Sequence, residues 1–278
     1  MNASAAVIEV PQTIPPCPAT RRVHIFRVEK QAGFFQRRWP LFRPMVGLVL
    51  VSLLIRWSDF DIWVSSFFYD PTTGVWPYEL AQPWLTIYRK GTIPSIVLGV
   101  TSLIVGLVGR WILPCSEWRR SKAIQRAGLF LGLSLAIGPG LIVNVGFKQL
   151  WGRPRPIQCA TFNGDREFLP VGTWAVERHT NSSFPSGHAA VAFYLMIPGF
   201  ATAKRRPYLA AAFFLTGTAL GLGMGLTRVI QGGHFVSDIL WAGAAVYLTG
   251  AALSWIILRN DGLTLSGETI DDAKPLQA

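Results

Sequence analysis

Residues 127–147 read AGLFLGLSLAIGPGLIVNVGF, a run of 21 residues without a charged side chain. A helix of about 20 apolar residues is long enough to cross the hydrocarbon core of a bilayer. Lys148 follows the run directly, so its ammonium group is expected at the membrane surface. This stretch therefore predicts a transmembrane helix.

The whole chain is too apolar for an ordinary soluble protein. Half of its 278 residues are hydrophobic and 15% are charged, whereas charged residues make up about a quarter of a typical soluble domain. The apolar runs lie at residues 41–57, 93–113, 127–147, 189–203, 208–226 and 235–258. The predicted fold class is all-α, an integral membrane protein with six transmembrane helices, the fourth of them short and kinked at Pro198.

Two tails flank the predicted six-helix membrane domain, which covers residues 41–258. Residues 1–40 are predicted to be a cytoplasmic tail. Its basic and aromatic second half is expected to lie at the membrane interface on anionic lipid, with a solvated tail as the open alternative. Residues 259–278 are predicted to be a second cytoplasmic tail. No residue pattern predicts an oligomeric state.

The net charge of +11 is distributed unevenly over the loops. Lys and Arg are frequent in the N-terminal tail, at 110–126 and at 204–206, and sparse at 58–92 and 228–234. Cytoplasmic loops collect basic residues, so both termini are predicted to be cytoplasmic. The charge is thus interpreted as an orientation signal, and no nucleic-acid partner is expected.

One loop on the predicted outer side is basic against this rule. It carries five cations, Lys148, Arg153, Arg155, Arg166 and Arg178. Three neighbouring runs have an end on the same side of the membrane. The polar residues at these ends are Ser186, Gly187, His188, Arg228, His234 and Asp238. Unpaired cations near lipid are costly, so a multiply charged anion is expected among Lys148, Arg155 and Arg228.

The remaining residue types indicate phosphoryl transfer at this outer face. Ser186 and Gly187 begin a helix whose free N–H groups, theirs included, suit an anion. His234 and Asp238 are four residues apart on one helix face, so the carboxylate holds one imidazole nitrogen and leaves the other for the substrate. We expect His234 to attack phosphorus, and His188 to protonate the leaving oxygen and then to activate water.

This chemistry requires no metal and no cofactor. An alternative interpretation makes His188, His234 and Asp238 three ligands of a divalent cation. It is weaker, because the three cations predicted in the same place would repel such an ion.

Three short motifs follow one another between residues 148 and 238. They are Lys148, six residues and Arg155-Pro156; then Pro185-Ser186-Gly187-His188; then Arg228, five residues, His234, three residues and Asp238. Together they resemble the tripartite signature of the type-2 phosphatidic acid phosphatase superfamily. The resemblance implies a metal-independent lipid phosphatase in which His234 is the nucleophile, His188 the general acid and Asp238 the orienting acid. It also implies that Ser186 helps to bind phosphate, and Thr227 stands where the superfamily usually has serine.

Among bacterial members of that superfamily, residues 152–156 and 181–188 are most similar to lipid A phosphatases. The expected substrate is a lipid phosphate, preferably lipid A, at the periplasmic face of the inner membrane. Phosphatidylglycerophosphate and undecaprenyl pyrophosphate phosphatases share every catalytic element, and a lipid phosphotransferase would use the same phosphohistidine. A non-enzymatic anion-binding protein and a vanadate haloperoxidase are weaker alternatives.

Some residues near the predicted site keep two interpretations. Arg153 is either a fourth phosphate ligand or a solvated or interfacial cation. Arg166 and Arg178 either touch a lipid head group or, preferably, pair with neighbouring acids. The aromatic residues of 58–92 are interpreted as an interfacial belt, in preference to an entrance for acyl chains.

Overall fold

The structure is a computed structural model that describes residues 34–112, 118–175 and 182–258. The chain divides into two units after Arg37, and every residue of the predicted site belongs to the second. The predicted interfacial part of the N-terminal tail, up to residue 33, and the whole tail 259–278 lie outside the described residues.

Helices make up the regular structure of the described ranges. The α-helices are α1 (Phe34–Trp57), α2 (Phe60–Ser66), α3 (Trp84–Lys90), α4 (Ile93–Ile112), α5 (Trp118–Leu135), α6 (Lys148–Trp151), α7 (Gly187–Phe193), α8 (Ile197–Thr202), α9 (Pro207–Ile230) and α10 (Val236–Ile257). A π-helical segment, Ala136–Phe147, continues α5 into α6. Short 3-10 turns cover Pro156–Gln158, Ala160–Phe162 and Tyr194–Met196. The all-α prediction is confirmed for these ranges.

Four helical stretches are long and apolar enough to cross a membrane. They are Trp84–Gly109, Lys122–Gln158, Pro207–Ile230 and Val236–Ile257. These stretches contain most of four of the six predicted runs and make the chain a multi-pass membrane protein. The run 189–203 falls in a shorter apolar helix, Gly187–Thr202, and the run 41–57 lies in α1. That these two also cross the membrane stays a prediction.

The predicted break at Pro198 is confirmed. The α-helix α7 stops at Phe193, a 3-10 turn follows, and α8 begins at Ile197 with Pro198 in its first turn. Proline has no N–H for an intrahelical hydrogen bond, and its ring clashes with the carbonyl four residues earlier, here that of Tyr194. The helix therefore restarts at this point instead of continuing.

The run 127–147 is helical throughout but changes its winding halfway. From Ala136 the backbone is π-helical, and at the end of the segment the N–H of Lys148 donates to the carbonyl of Val143, five residues earlier. Inside the segment, Nδ2 of Asn144 donates to the carbonyl of Pro139 at 2.7 Å. π-Helical turns are rare and occur often at functional sites. Lys148 follows this segment directly and begins α6.

Small residues on α9 set how closely its neighbours approach. A β-carbon on Gly217 would lie 2.1 Å from the backbone nitrogen of Met196, and one on Gly225 would lie 2.3 Å from Cγ2 of Ile239. Gly217 and Gly225 therefore allow neighbouring elements to pack closely against α9. The core around them includes Phe130, Val143, Phe193, Ile197, Val229, Ile239 and Val246.

Candidate active site

Backbone hydrogen bonds join the three sequence motifs to one another. The N–H of Ile157, in the loop after Arg155, donates to the carbonyl of Gly232 at 3.1 Å. The N–H of Ser186 donates to the carbonyl of Asp238 at 3.2 Å. The loop after α6 therefore meets the loop before α10, and the start of α7 meets the first turn of α10. The three motifs lie at one end of the described helices, as the sequence predicts.

His234 and Asp238 stand at the start of α10 and are both buried. Nδ1 of His234 lies 3.5 Å from Oδ2 of Asp238. The distance is long for a hydrogen bond, as it often is in catalytic pairs before the substrate binds. Among the described residues, Nδ1 has no closer partner. The carboxylate is thus placed to orient the ring, and its Oδ2 also accepts the N–H of Phe235 at 2.9 Å, which caps α10.

The cationic side chains influence both histidines electrostatically. The charges of Arg228, Lys148 and Arg155 all act on the half-buried ring of His188. Those of Arg228 and Arg155 act on His234 as well. Two guanidiniums from different segments thus influence both imidazoles. The structure brings together the three cations, the two histidines and the aspartate that the sequence singled out.

The start of α7 forms the floor of the cationic cluster. A β-carbon on Gly187 would lie 3.2 Å from Nζ of Lys148 and 2.4 Å from Oδ1 of Asn144, so glycine is needed for this close approach. Ser186 is the N-cap, and its Oγ accepts the N–H of Ala189 at 3.4 Å. The expectation that the N–H of Ser186 points at an anion is wrong, because that group donates to Asp238.

Arg153 occupies a position that the sequence did not predict. Its side chain is fully buried, with Nη1 2.6 Å from Oδ1 of Asp238 and Nη2 2.9 Å from Oδ2 of Asp61. Nε donates to the carbonyl of Leu169 at 2.8 Å. The interpretation as a solvated or interfacial cation is wrong, and a buried guanidinium held by two carboxylates is not available to a phosphate. Asp61 itself has no signal in the sequence that distinguishes it from other loop acids.

Tyr88, on α3, is a further residue that sequence reasoning missed. Its ring centroid lies 4.6 Å from that of His188, and Cζ of Arg228 lies 4.4 Å from the same ring. Nη1 of Arg228 also donates to Oε1 of Gln231 at 2.7 Å, and Nε2 of Gln231 donates to the carbonyl of Glu79 at 2.9 Å. Two contacts from the chain before α4 therefore hold Arg228 in place. One is the aromatic contact with Tyr88, and the other is the hydrogen-bonded chain through Gln231 to Glu79.

The other residues near the site behave more simply. Nε of Arg166 lies 3.9 Å from Oδ1 of the exposed Asp165, in line with the predicted pairing. Arg178 lies outside the described residues. Of the aromatic loop, Trp63 is exposed as a belt residue should be, whereas Trp76 is buried in a cluster of Cys159, Phe162 and Phe235, so the belt interpretation is wrong for Trp76.

The electrostatics favour a neutral His234. Its pKa is lowered from 6.5 to about 4, with burial as the largest cause; Asp238 opposes the shift, and Arg228 and Arg155 add to it. The ring is therefore unprotonated near neutral pH, which is the form that can act as a nucleophile. In the described ranges, no three His, Cys, Asp or Glu side chains are grouped so that they could hold a metal ion.

The fold and the site define a helical membrane protein with two histidines in one cationic cluster. Residues 127–261 match the model of the PAP2 superfamily. The match covers all three motifs, so the resemblance that they carry is confirmed.

Two curated relatives are similar over the same part of the chain. A lipid A 4'-phosphatase of Francisella tularensis subsp. novicida is 40% identical over 157 residues, which cover 56% of this chain and 65% of that protein. A lipid A 4'-phosphatase of Rhizobium leguminosarum is 37% identical over 155 residues, which cover 54% of this chain and 65% of that protein. The chain thus spans just under two thirds of the length of these relatives.

One solved structure also aligns with the chain. It is that of a transmembrane PAP2 type phosphatidylglycerolphosphate phosphatase from Bacillus subtilis. The alignment has a TM-score of 0.46 and 17% sequence identity, and it covers 82% of this chain and 99% of the other.

Proposed function

We propose that the chain is a metal-independent lipid phosphatase that removes phosphate from lipid A through a phosphohistidine. The observation that carries the proposal is the shared environment of the two histidines. Arg155 and Arg228 act on both rings, while Asp238 faces Nδ1 of His234. A nucleophile and a general acid that transfer the same phosphoryl group need this arrangement.

The first step forms the covalent intermediate. The free nitrogen of neutral His234 attacks phosphorus, and the bond from phosphorus to the lipid oxygen breaks. Burial, Arg228, Lys148 and Arg155 lower the pKa of the free His188 to about 4. The negative charge of the bound phosphate group opposes these causes, so His188 is protonated in the complex, and it gives its proton to that oxygen as the lipid leaves as an alcohol. The N–H at Nδ1 of His234 is then held by the carboxylate of Asp238, which stabilises the positive charge that the ring acquires.

In the second step His188 acts as a general base and His234 is the leaving group. His188, now neutral, takes a proton from water, and the oxygen of that water attacks phosphorus. The bond between phosphorus and His234 breaks, inorganic phosphate leaves, and His188 is protonated again for the next turnover. In both steps Lys148, Arg155 and Arg228 stabilise charge on the non-bridging oxygens, and Ser186 and Gly187 close the floor of the site.

The substrate is proposed from the relatives. Both similar proteins carry the name lipid A 4'-phosphatase, which supports lipid A, and within it the 4'-phosphate. A relative named lipid A 1-phosphatase is 30% identical, so the two phosphate positions need to be distinguished by experiment. Phosphatidylglycerophosphate and undecaprenyl pyrophosphate are the other candidate substrates.

We propose the bacterial inner membrane as the location, with six transmembrane helices, both termini in the cytoplasm and the site at the periplasmic face. The charge asymmetry of the loops supports this orientation. Reporter fusions after residues 206 and 258 are expected to report the cytoplasm. A periplasmic signal from either fusion contradicts the orientation.

The test of the function is a substrate panel in detergent with a metal chelator present. It contains lipid A, phosphatidylglycerophosphate, phosphatidic acid and undecaprenyl pyrophosphate, and mass spectrometry identifies which phosphate is lost from lipid A. We expect the purified wild type to release phosphate from lipid A, His234→Ala to release none, and His24→Ala, in the tail, to match the wild type. Retained turnover in His234→Ala removes it as nucleophile, and transfer of labelled phosphate to a second lipid indicates a phosphotransferase.

A further inference from the structure

A line of buried charges leads away from His234 into the protein. Asp238 faces the histidine at 3.5 Å, Arg153 contacts Asp238 at 2.6 Å, and Asp61 contacts Arg153 at 2.9 Å. Arg153, Asp61 and Asp238 are each at most 2% exposed. Three elements far apart in the chain, namely α2, the loop after α6 and α10, supply these charges.

Such a line is costly unless each charge is compensated. A buried ion loses several kcal/mol of hydration free energy, and a well-formed ion pair often does no more than repay this loss. Here the compensation is nearly complete. Besides the two carboxylates, Nη1 of Arg153 donates to Oγ of Ser237 at 2.8 Å, and its Cζ lies 4.4 Å from the ring centroid of Phe235. Stability alone is a weak explanation for this arrangement, because an apolar cluster of the same volume would serve as well.

The arrangement fixes which oxygen of Asp238 faces the histidine. Oδ1 is occupied by Arg153, while Oδ2 accepts the N–H of Phe235 and faces Nδ1 of His234. Rotation of the carboxylate would break its contacts with Arg153 and with the N–H of Phe235. Asp61 anchors the far end, because its Oδ1 accepts the N–H of Ser237 at 2.9 Å and its Oδ2 accepts the hydroxyl of Ser237 as well as Arg153. The short helix α2 is thereby tied to the first turn of α10.

We propose that Arg153 and Asp61 are positioning residues of the active site, which hold Asp238 against His234 and set the charge that the imidazole experiences. Arg153 orients Asp238, and Asp61 orients Arg153. Neither residue touches the substrate. This inference rests on the proposed function of His234 as the nucleophile.

The other charges around the pair are unaffected by substitution of Arg153 or Asp61. Arg155 and Arg228 act on His234 from the loop after α6 and from α9, and Asp238 acts in turn on Lys148. Cys159 lies close to Arg153 and Asp238, but burial raises the pKa of its thiol to about 12, so it is neutral. A change in the pH profile of a variant of Arg153 or Asp61 therefore reports on the altered residues.

The experiment replaces the ion pair by two amides, in the double variant Arg153→Gln with Asp61→Asn. This change removes one positive and one negative charge, so it leaves no uncompensated carboxylate at position 61. We expect kcat to fall about 100-fold with KM changed by less than about threefold, because orientation of a general acid or base contributes to the chemical step. Without its nearest cation, Asp238 exerts more of its negative charge on His234 and raises the pKa of that ring. The acid limb of kcat/KM is therefore expected to move up by about one pH unit.

Two further variants separate charge from packing. Ser237→Ala removes hydrogen bonds to Arg153 and Asp61 without changing a charge, so its acid limb should stay at the wild-type pH. Arg153→Lys keeps the charge but loses the planar fork that reaches both carboxylates, so kcat should fall about tenfold with the limb in place. Thermal unfolding in detergent shows whether each variant is folded.

Each outcome decides between the positioning role and a purely structural one. A folded double variant with the wild-type kcat and acid limb overturns the proposal. If the double variant does not fold, Arg153→Lys decides, and an unchanged kcat in that variant overturns the proposal. Absence of turnover in the wild type instead overturns the proposed function. If the wild type is active and the variants keep its kcat and its acid limb, the positioning role alone is overturned.

Discussion

Gly233 and the guanidinium of Arg228 are packed so closely that no side chain fits between them. A β-carbon on Gly233 would lie 2.1 Å from Nη2 and 2.6 Å from Cζ of Arg228. A side chain yields more easily than the backbone, so an added methyl group would displace the guanidinium from its contacts with Tyr88 and Gln231 and leave the backbone in place. Gly233 thus acts on the phosphate site through the position of one cation.

Replacing Gly233 by alanine is therefore expected to weaken binding of the phosphate group. The displaced guanidinium loses charge-assisted hydrogen bonds, so kcat/KM for a lipid phosphate should fall about tenfold or more. The matched control is Gly223→Ala on α9, where a β-carbon meets nothing within 4 Å. Steady-state phosphate release measures both variants, and equal activities would show that the position of Arg228 does not matter.

The lowered pKa of His234 predicts an unusual pH profile. The histidine must be neutral to attack, and its pKa of about 4 keeps it neutral at any pH above that value. As the pH falls through about 4 the ring becomes protonated and activity is lost. Because kcat/KM reports the free enzyme, its acid limb should lie near pH 4. A limb near pH 6.5, the ordinary histidine value, would contradict a buried, neutral nucleophile.

Replacing Asp238 by asparagine tests the orienting carboxylate. The amide keeps the size of the side chain but removes the charge that stabilises the positive ring after phosphoryl transfer, so kcat is expected to fall by about two to four orders of magnitude. The control is Asp165→Asn, because the Asp165 side chain is 86% exposed and forms a long contact with Arg166. Rapid-quench measurements of phosphohistidine formation locate the defect. Similar rates in wild type and Asp238→Asn would rule out the orienting role.

Tyr88 is expected to act through its ring and not through its hydroxyl. Tyr88→Phe keeps the contacts with His188 and Arg228 and should keep the wild-type activity. Tyr88→Leu removes the cation–π contact, so KM for the lipid phosphate should rise about tenfold. Tyr208→Leu, at a position that is 91% exposed, serves as the control. Loss of activity in Tyr88→Phe would indicate a role for the hydroxyl that the ring contacts do not explain.

The sequence predicts the fold well where hydropathy alone decides it. The run 208–226 lies within α9, and 235–258 matches α10 to within a residue at each end. Lys148, Arg228 and His234 were identified because each stands at the end of an apolar run, where a charge or imidazole needs an explanation. Such residues are visible because the membrane forces polar groups to its surfaces.

The residues that were missed depend on contacts that no local pattern encodes. Asp61 and Arg153 are separated by 92 positions in the chain, and nothing in their neighbours indicates that they pair. Tyr88 is one of many aromatic residues in its loop, and only its contact with His188 distinguishes it. The buried side of a site is therefore harder to predict than the side that faces the substrate.

The wide winding of Ala136–Phe147 has a consequence for how this protein can vary. Lys148 stands directly after the segment, so the direction in which its side chain points is set by the number of residues wound before it. Deleting one residue from the segment would rotate all that follows by the angle that one residue turns about the helix axis, unless the winding tightened to compensate. Natural variants should therefore conserve the length of the segment to the single residue.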